Sequence, residues 1–391
     1  MGAKRVAFVA PYLPAPENTG GRIRMARLAR ALSGPFEVEL FACGGAKEFA
    51  SELRGEALSV YARRFVRGRK PSFRFAKGDP ERVKSASPAL LYWDVWRRHR
   101  AQPFDAVVVS HSYAMAVGEA ARGAAIVLDE HNVESAYAVS TASARGASAD
   151  GERDKLVEWE RGCWRRADEV TCVSEDDAAI VRAVRASGVT VIDNGVNVGR
   201  VRYIAESARQ SERDVVFVGL MSHGPNEEGA EFLATKVMPL VWREHEGARL
   251  VLCGRQPSER VRALASDRVM VTGTVENVGV YLDRARVMAV ALQQGAGSSL
   301  KAVEALATGA RVVSTPVGMR GIDGAKDGET HDEARDERAF AQAICRAFAG
   351  QSDDARGARA RALAERYDWA VIGERFVSVV ERATRARGGR R

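Results

Sequence analysis

At 391 residues the chain is long enough for two domains with cores of their own, and 46% hydrophobic with 28% charged residues excludes a disordered or fibrous protein. Lysine and arginine number 59 against 51 aspartates and glutamates, a formal net charge of +8 that favours anionic partners: nucleoside diphosphates, phospholipid surfaces or nucleic acid. The five cysteines (Cys43, Cys163, Cys172, Cys253, Cys345) are odd in number and widely spaced, which points to a reducing compartment and away from disulfides or a metal-binding pair. No run approaches the roughly 18 apolar residues of a membrane span, so a cytoplasmic protein is expected.

The first apolar run, Arg5 to Ala10, reads as a buried strand. The loop after it, residues 11–21, carries three prolines and runs into Thr19-Gly20-Gly21-Arg22. In open α/β sheets ligands sit outside the carboxyl ends of strands, where this loop lies. Paired glycines at a helix start leave bare amides for phosphate or acceptor, with Arg22 adding charge; the alternative is a plain strand-to-helix turn. A strand is expected at 36–41. Residues 54–100 then form a basic, aromatic-bearing stretch with Arg63, Arg64, Arg67, Arg69, Lys70, Tyr92, Trp93, Trp96, Arg97, Arg98 and Arg100. Such a stretch suits an anionic membrane or an acidic acceptor, or else is a solvated helix face with Trp93 and Trp96 in the core. No nucleic-acid reading motif accompanies it.

Strands follow at 106–110 and 125–129. The second ends in Asp129-Glu130-His131-Asn132-Val133-Glu134, with four ionisable residues at the end of a buried strand, of which His131 can hydrogen-bond a ligand or simply cap the strand. After strands at 169–173 and 189–192, Asn194-Gly195-Val196 breaks the pattern, and 197–213 reads as a linker. The alternation of short apolar runs with amphipathic stretches resumes at 214–219, 249–253, 269–271, 287–291 and 311–314. Two α/β units with parallel sheets covered by helices are the result.

The most specific stretch is Gly295 to Thr315, a glycine-rich loop, a helix and a strand in succession. Gly295 and Gly297 allow close approach of a ligand, Ser298 or Ser299 suits the N-cap, and Gly309 ends the helix. Lys301 and Glu304, three apart, share a face: a cation for a diphosphate and a carboxylate for a pair of sugar hydroxyls. Together they fit a nucleotide-sugar.

The sequence Glu304-Ala305-Leu306-Ala307-Thr308-Gly309 resembles the second half of the donor signature of glycosyltransferase family 4, retaining enzymes of the GT-B fold. The signature's first glutamate falls on Ala296, as in a sub-branch with Gly-x-Gly-x-x-x-Lys before the second glutamate, where the lysine supplies the polar contact. Further positions look like the family's: Gly20-Gly21-Arg22, the turn Asn194-Gly195-Val196, the strand ends at Gly219, Gly254-Arg255 and Gly273, and a terminal helix over 368–380 that crosses back to the first domain. His131 resembles the histidine that relatives set against the donor's sugar ring. The arginine and lysine that relatives carry after the first strand of the second domain are missing from 219–227, which leaves Lys301, Arg22 and Arg255 as cations for the diphosphate. His223 and Asn226 in that stretch either line the site or face solvent.

The resemblance implies GT-B architecture with two Rossmann-like domains facing a cleft, an acceptor-side domain over 1–197, a nucleotide-sugar domain over 198–366, and a terminal helix with basic tail over 367–391. It implies a hexosyltransferase that moves sugar from a nucleotide-diphosphate-sugar to an unidentified acceptor with retention. Glu304 would bind ribose, Lys301 and the amides of Gly297, Ser298 and Ser299 the diphosphate, His131 the sugar, Gly20 to Arg22 the acceptor side of the phosphates, with Gly219 and Arg255 beside them. Asp129 and Glu130 would support His131, since the leaving phosphate can take the acceptor's proton. With no Asp-x-Asp pair at a strand end, neither metal nor further cofactor is expected. A non-catalytic nucleotide-sugar-binding protein is the alternative; an oxidoreductase is disfavoured because PYLPAPENTGGR replaces a Gly-x-Gly-x-x-Gly fingerprint.

Overall fold

A computed structural model describes residues 3–15, 17, 19–43, 58–63, 80, 83, 89–136, 150–209, 213–294 and 299–389. The chain divides into two units, Met1–Asn194 together with Ile372–Arg391, and Gly195–Val371.

The first unit is built on β1 (Arg5–Ala10), β2 (Glu37–Cys43), β3 (Leu58–Arg63), β4 (Ala106–Ser110), β5 (Ala125–Glu130), β6 (Glu169–Cys172) and β7 (Val189–Val191). They form one 7-stranded sheet in the order β3-β2-β1-β4-β5-β6-β7, every pairing parallel. The order reverses between β1 and β4, the crevice where such sheets take ligands. Central strands read as unbroken apolar runs because helices cover both faces: every residue of β1 and β4 is buried. The covering helices include α1 (Gly20–Leu32), α2 (Ala89–Ala101), α3 (Asp150–Arg166) and α4 (Glu175–Arg182). Helix α1 turns Met25, Leu28 and Leu32 inward, and Arg24 shares that buried stripe.

The second unit carries β8 (Asp214–Val218), β9 (Arg249–Cys253), β10 (Val269–Gly273), β11 (Val287–Val290), β12 (Arg311–Ser314) and β13 (Asp332–Glu333), a 6-stranded parallel sheet in the order β10-β9-β8-β11-β12-β13. Around it lie α5 (Gly224–Phe232), α6 (Met238–Glu244), α7 (Leu300–Ala307), α8 (Glu337–Ala349) and α9 (Asp354–Glu365). Phe217, Leu250, Leu252, Val287, Phe340 and Ile344 fill one face of this sheet, and Val216, Val290, Val303, Leu306 and Val312 the other. Both folds are the α/β architecture expected from the alternation of apolar runs.

Two strands escape the sequence reading. β3 pairs with β2 at the edge of its sheet, and its sequence LSVYAR sits inside the stretch read as basic surface. Its own residues are mostly apolar; the arginines and lysine that follow it at 64–70 give the whole stretch the character of surface. β13 is two residues long. The last helix, α10 (Trp369–Gly388), begins in the second unit and belongs to the first from Ile372 onward. Ile372, Phe376, Val379 and Val380 are fully buried, and Gly373 lets α10 approach Ala31 of α1 more closely than a Cβ would allow.

Candidate functional site

In the second unit the carboxyl ends of β8 and β9 press together. A Cβ on Gly254 would overlap the carbonyl oxygen of Gly219, and one on Gly219 would stand 2.7 Å from Asn226 Nδ2, so both glycines are dictated by close approach. Asn226, buried near the start of α5, donates from Nδ2 to the Leu220 carbonyl at 2.9 Å, which aims its Oδ1 outward to accept a hydrogen bond from Lys301 Nζ. The same ammonium stands 4.9 Å from the centre of the Phe217 ring. An amide dipole and an aromatic face thus hold the lysine in place. Burial pulls its pKa down to about 8, against the opposing charge of Glu304.

Helix α7 explains that pairing. Ala302, Val303, Ala305 and Leu306 are buried, while Lys301 and Glu304 emerge together from the other face. Glu304 keeps solvent access yet is crowded by protein; this desolvation raises its carboxyl pKa, and Lys301 works the other way. Ser299 occupies the N-cap position, but its hydroxyl makes no capping bond and finds no partner among the described residues, in contrast to the expected serine cap. Its carbonyl instead accepts from Ala302 and Val303. Gly295, Ala296, Gly297 and Ser298 lie outside the described residues. Gly309, at φ +79°, ends the helix as expected.

Arg255 follows the β9 end with its side chain exposed, and its carbonyl accepts from the Met221 amide. His223 is exposed at the N-cap of α5. Gln256, Pro257, Thr272, Gly273 and Thr274 line an open hollow at the carboxyl ends of β9 and β10.

In the first unit the carboxyl ends of β4 and β5 carry a buried polar network. Arg24, 1% exposed, reaches from α1 to Asp129 with Nε and Nη2 (the latter 2.6 Å from Oδ1), and its Nη1 donates to the carbonyls of Ile192 and Asp193. Thr171 donates to Asp129 Oδ1 at 2.7 Å. Burial alone would raise the Asp129 carboxyl; the Arg24 charge and the His131 hydrogen bond overcome it and hold the group well below the usual carboxylate range. His131 Nε2 lies 3.1 Å from Asp129 Oδ2 and 2.9 Å from Ser110 Oγ. Desolvation lowers the His131 pKa despite Asp129, so the ring is neutral near pH 7.

Against it stands His111, ring centres 3.9 Å apart, at φ +68° and ψ 139°. A non-glycine residue there stores about 1–3 kcal/mol of strain, a cost typical of sites where geometry is fixed for a purpose. Burial, followed by the charge of His131, drives the His111 pKa down to about 3. Beneath this pair Glu130 accepts from Trp164 Nε1 and the Ser112 amide, and burial together with Glu160 raises its pKa. It therefore supports the end of β5 and does not reach His131 Nε2.

At the start of α1, Gly20 is exposed and Gly21 half-buried, and the N-cap residue Thr19 makes no side-chain capping bond among the described residues. A Cβ on Gly21 would collide with Tyr12 Oη and stand 3.5 Å from His131 Nδ1. Arg22 is turned onto its own loop, donating to the Ala15 carbonyl at 3.0 Å. Of the basic stretch, Arg98 is paired with Glu39 and Arg97 with Asp94. Trp96 packs partly on the core, while Trp93 is 56% exposed with Leu90 beside it at 59%. Arg64, Arg67, Arg69 and Lys70 lie outside the described residues.

Lys301, Glu304, Asn226, Gly219 and Gly254 therefore converge in one unit, and His131, Asp129, Arg24 and Gly21 in the other. Sequence reasoning missed Arg24, Phe217 and His111. For Arg24 a signal existed: a cation spaced four and eight residues from Leu28 and Leu32 falls on the apolar stripe of its helix.

The fold places the chain in a class that comparison with known proteins also finds. Residues 19–200 match the family described as Glycosyltransferase Family 4, and residues 212–349 the family described as Glycosyl transferases group 1. Both matches are to glycosyltransferase domains, one in each unit, and the fold is GT-B. Among solved structures it is similar to a sucrose-phosphate synthase from Thermosynechococcus elongatus (19% identity, TM-score 0.66, covering 98% of this chain and 100% of that one). It is also similar to HepE of Anabaena in complex with UDP and glucose (17% identity, TM-score 0.66, 97% and 100%), and to an Escherichia coli trehalose-6-phosphate protein bound with UDP-2-fluoro glucose (12%, 0.64, 97% and 99%). No curated protein matches the chain by sequence. Among the described residues no helix is long and apolar enough to cross a membrane.

Proposed function

We propose that the protein transfers a hexose from a nucleotide-diphosphate-sugar to an acceptor hydroxyl with retention of anomeric configuration. The observation that carries this reading is the α7 face, where Lys301 is pinned by Asn226 and Phe217 while Glu304 stays open to ligand. Glu304 accepts hydrogen bonds from the ribose hydroxyls, and Lys301 with the amides of 297–299 neutralises the diphosphate. Gly219 lets Asn226 close in beneath Lys301, and Arg255 adds charge. In the first unit His131 bonds a hydroxyl of the sugar, and the open amides of Gly20, Gly21 and Arg22 face the acceptor side.

In the reaction the bond from the sugar's anomeric carbon to the diphosphate oxygen breaks, a bond to the acceptor oxygen forms on the same face, and the acceptor's proton passes to the leaving phosphate. Fixed cations and amides stabilise that leaving group in place of a bridging metal. A cytoplasmic protein touching an anionic membrane through Leu90, Trp93 and the neighbouring arginines fits the exposed end of α2. HepE, of similar fold, is solved with UDP and with UDP-glucose, so uridine nucleotides are the first ligands to try.

Calorimetry with uridine diphosphate and a panel of nucleotide-sugars tests the reading. A hydrogen bond to a charged group contributes about 1.5–3 kcal/mol, so Glu304→Ala should weaken binding at least about tenfold while the thermal transition stays put. Binding as tight as the parent's would refute the donor-site assignment.

A further inference from the structure

The network around His131 decides which of its ring nitrogens carries the proton. Asp129 is fully buried and bonded by Arg24 and Thr171, so it is an ionised carboxylate, and a carboxylate only accepts. Its Oδ2 lies 3.1 Å from His131 Nε2. A bare Nε2 at that distance would set lone pair against lone pair, so Nε2 must hold the hydrogen. Ser110 Oγ, 2.9 Å from the same nitrogen, serves as a second acceptor. In the neutral imidazole the other nitrogen is then bare. Nδ1 finds no hydrogen-bond partner among the described residues; it faces Gly21, standing 3.5 Å from where a Cβ there would lie, a position that Tyr12 Oη also crowds. His111 lies against the ring and limits its turning.

We propose that Asp129, locked by Arg24 and Thr171, fixes His131 as its Nε2–H tautomer and so makes Nδ1 an acceptor, which requires the bound sugar to present a hydroxyl hydrogen at that point. Asp129 and Arg24 are positioning residues, and His131 is the residue that selects. This rests on the sugar contact of His131 proposed above. It goes further in assigning the direction of that hydrogen bond, and with it a class of sugars that the protein rejects: those carrying an acceptor without a hydrogen, such as fluorine or an ether, at the contacted position.

Two measurements on the full chain separate the tautomer from the sugar reading. Long-range proton–nitrogen spectra of protein labelled with ¹⁵N-histidine, assigned with His131→Gln, should show one protonated nitrogen, Nε2, and one bare nitrogen, Nδ1. A protonated Nδ1 overturns the proposal whether or not any sugar binds. Binding is then read with uridine diphosphate sugars in which each sugar hydroxyl is replaced in turn by hydrogen or fluorine. At one position both replacements should lose affinity equally, by roughly tenfold, as for one hydrogen bond. Fluorine accepts but cannot donate, so a fluoro-sugar that binds like the parent there shows His131 acting as donor and overturns the proposal.

Asp129→Asn keeps the shape but offers an amide N–H to Nε2. It should move the proton to Nδ1 and restore fluoro-sugar binding relative to the deoxy-sugar, a reversal that mere loss of stability would not produce. If Asp129→Asn does not fold, the parent's spectra and the fluoro series still decide. Sugar binding indifferent to His131→Gln, with the Nε2–H tautomer intact, would defeat the proposed sugar contact and leave the positioning by Asp129 standing.

Discussion

Replacing Lys301 with methionine retains the side chain's reach and its packing on Phe217 while removing the charge that Asn226 holds in place. A fixed point charge acts most strongly where negative charge develops, so the loss should fall on the transition state more than on the bound substrate. Removing one preorganised donor of this kind lowers kcat by roughly 10²–10³, and the change in KM should be smaller. The pH dependence supplies an independent check. Burial brings the lysine to about 8, against the pull of Glu304. The protonated amine is the active form, and kcat/KM, which reports the free enzyme, should fall roughly tenfold between pH 7 and pH 9. In the complex the diphosphate favours the charged amine, so the alkaline limb of kcat should move to higher pH. Steady-state release of nucleoside diphosphate by the parent, Lys301→Met and Lys301→Arg measures all of this, and the arginine variant should recover part of the rate. Turnover by Lys301→Met within a few-fold of the parent, or survival of the alkaline limb in that variant, would refute the argument and direct attention to Arg255.

If Lys301 and backbone amides meet the leaving group as proposed, transfer activity should persist in excess chelator, the sequence offering no Asp-x-Asp pair to bridge a metal; activity lost in EDTA and restored by magnesium or manganese would contradict this. Gly254→Ala should lower the thermal stability of the second unit by about 3 kcal/mol or more, since its Cβ meets backbone that cannot rotate away. Gly273→Ala, at φ +68° with nothing within 4 Å, should cost only about 1 kcal/mol of strain, so equal losses in the two variants would disprove the close-approach explanation.

What the sequence revealed follows from periodicity. Buried parallel strands such as Val6 to Ala10 and Val107 to Val109 must be apolar throughout, and short apolar runs bounded by turns betray them. Helix α7 was legible because its glycine-rich approach, its three-residue spacing of Lys301 and Glu304, and Gly309 at its end all act locally. What holds Lys301 was not legible: Asn226 lies 75 positions away, and only the fold brings them together. The same applies to Arg24 and Asp129, 105 positions apart. β3 stayed hidden because its six residues run straight into the basic stretch at 64–70 and read as part of it. Arg22, the arginine that the Gly-Gly-Arg pattern advertised, is turned onto its own loop, whereas Arg24, two residues on, reaches the buried carboxylate.

The membership of α10 in the first unit also sets an order of events during synthesis. Lys4 donates to Thr384 across 380 positions of chain, and the apolar side chains Ile372, Phe376, Val379 and Val380 reach the first unit only after the whole second unit has been made. On the ribosome the first sheet therefore waits, its α10-facing surface bare, while the second unit, continuous in sequence from Gly195 to Val371, can complete its own fold. The half that is translated first cannot be completed until the last residues are made, and until α10 arrives the face that Ile372, Phe376, Val379 and Val380 cover stays apolar and open to wrong contacts.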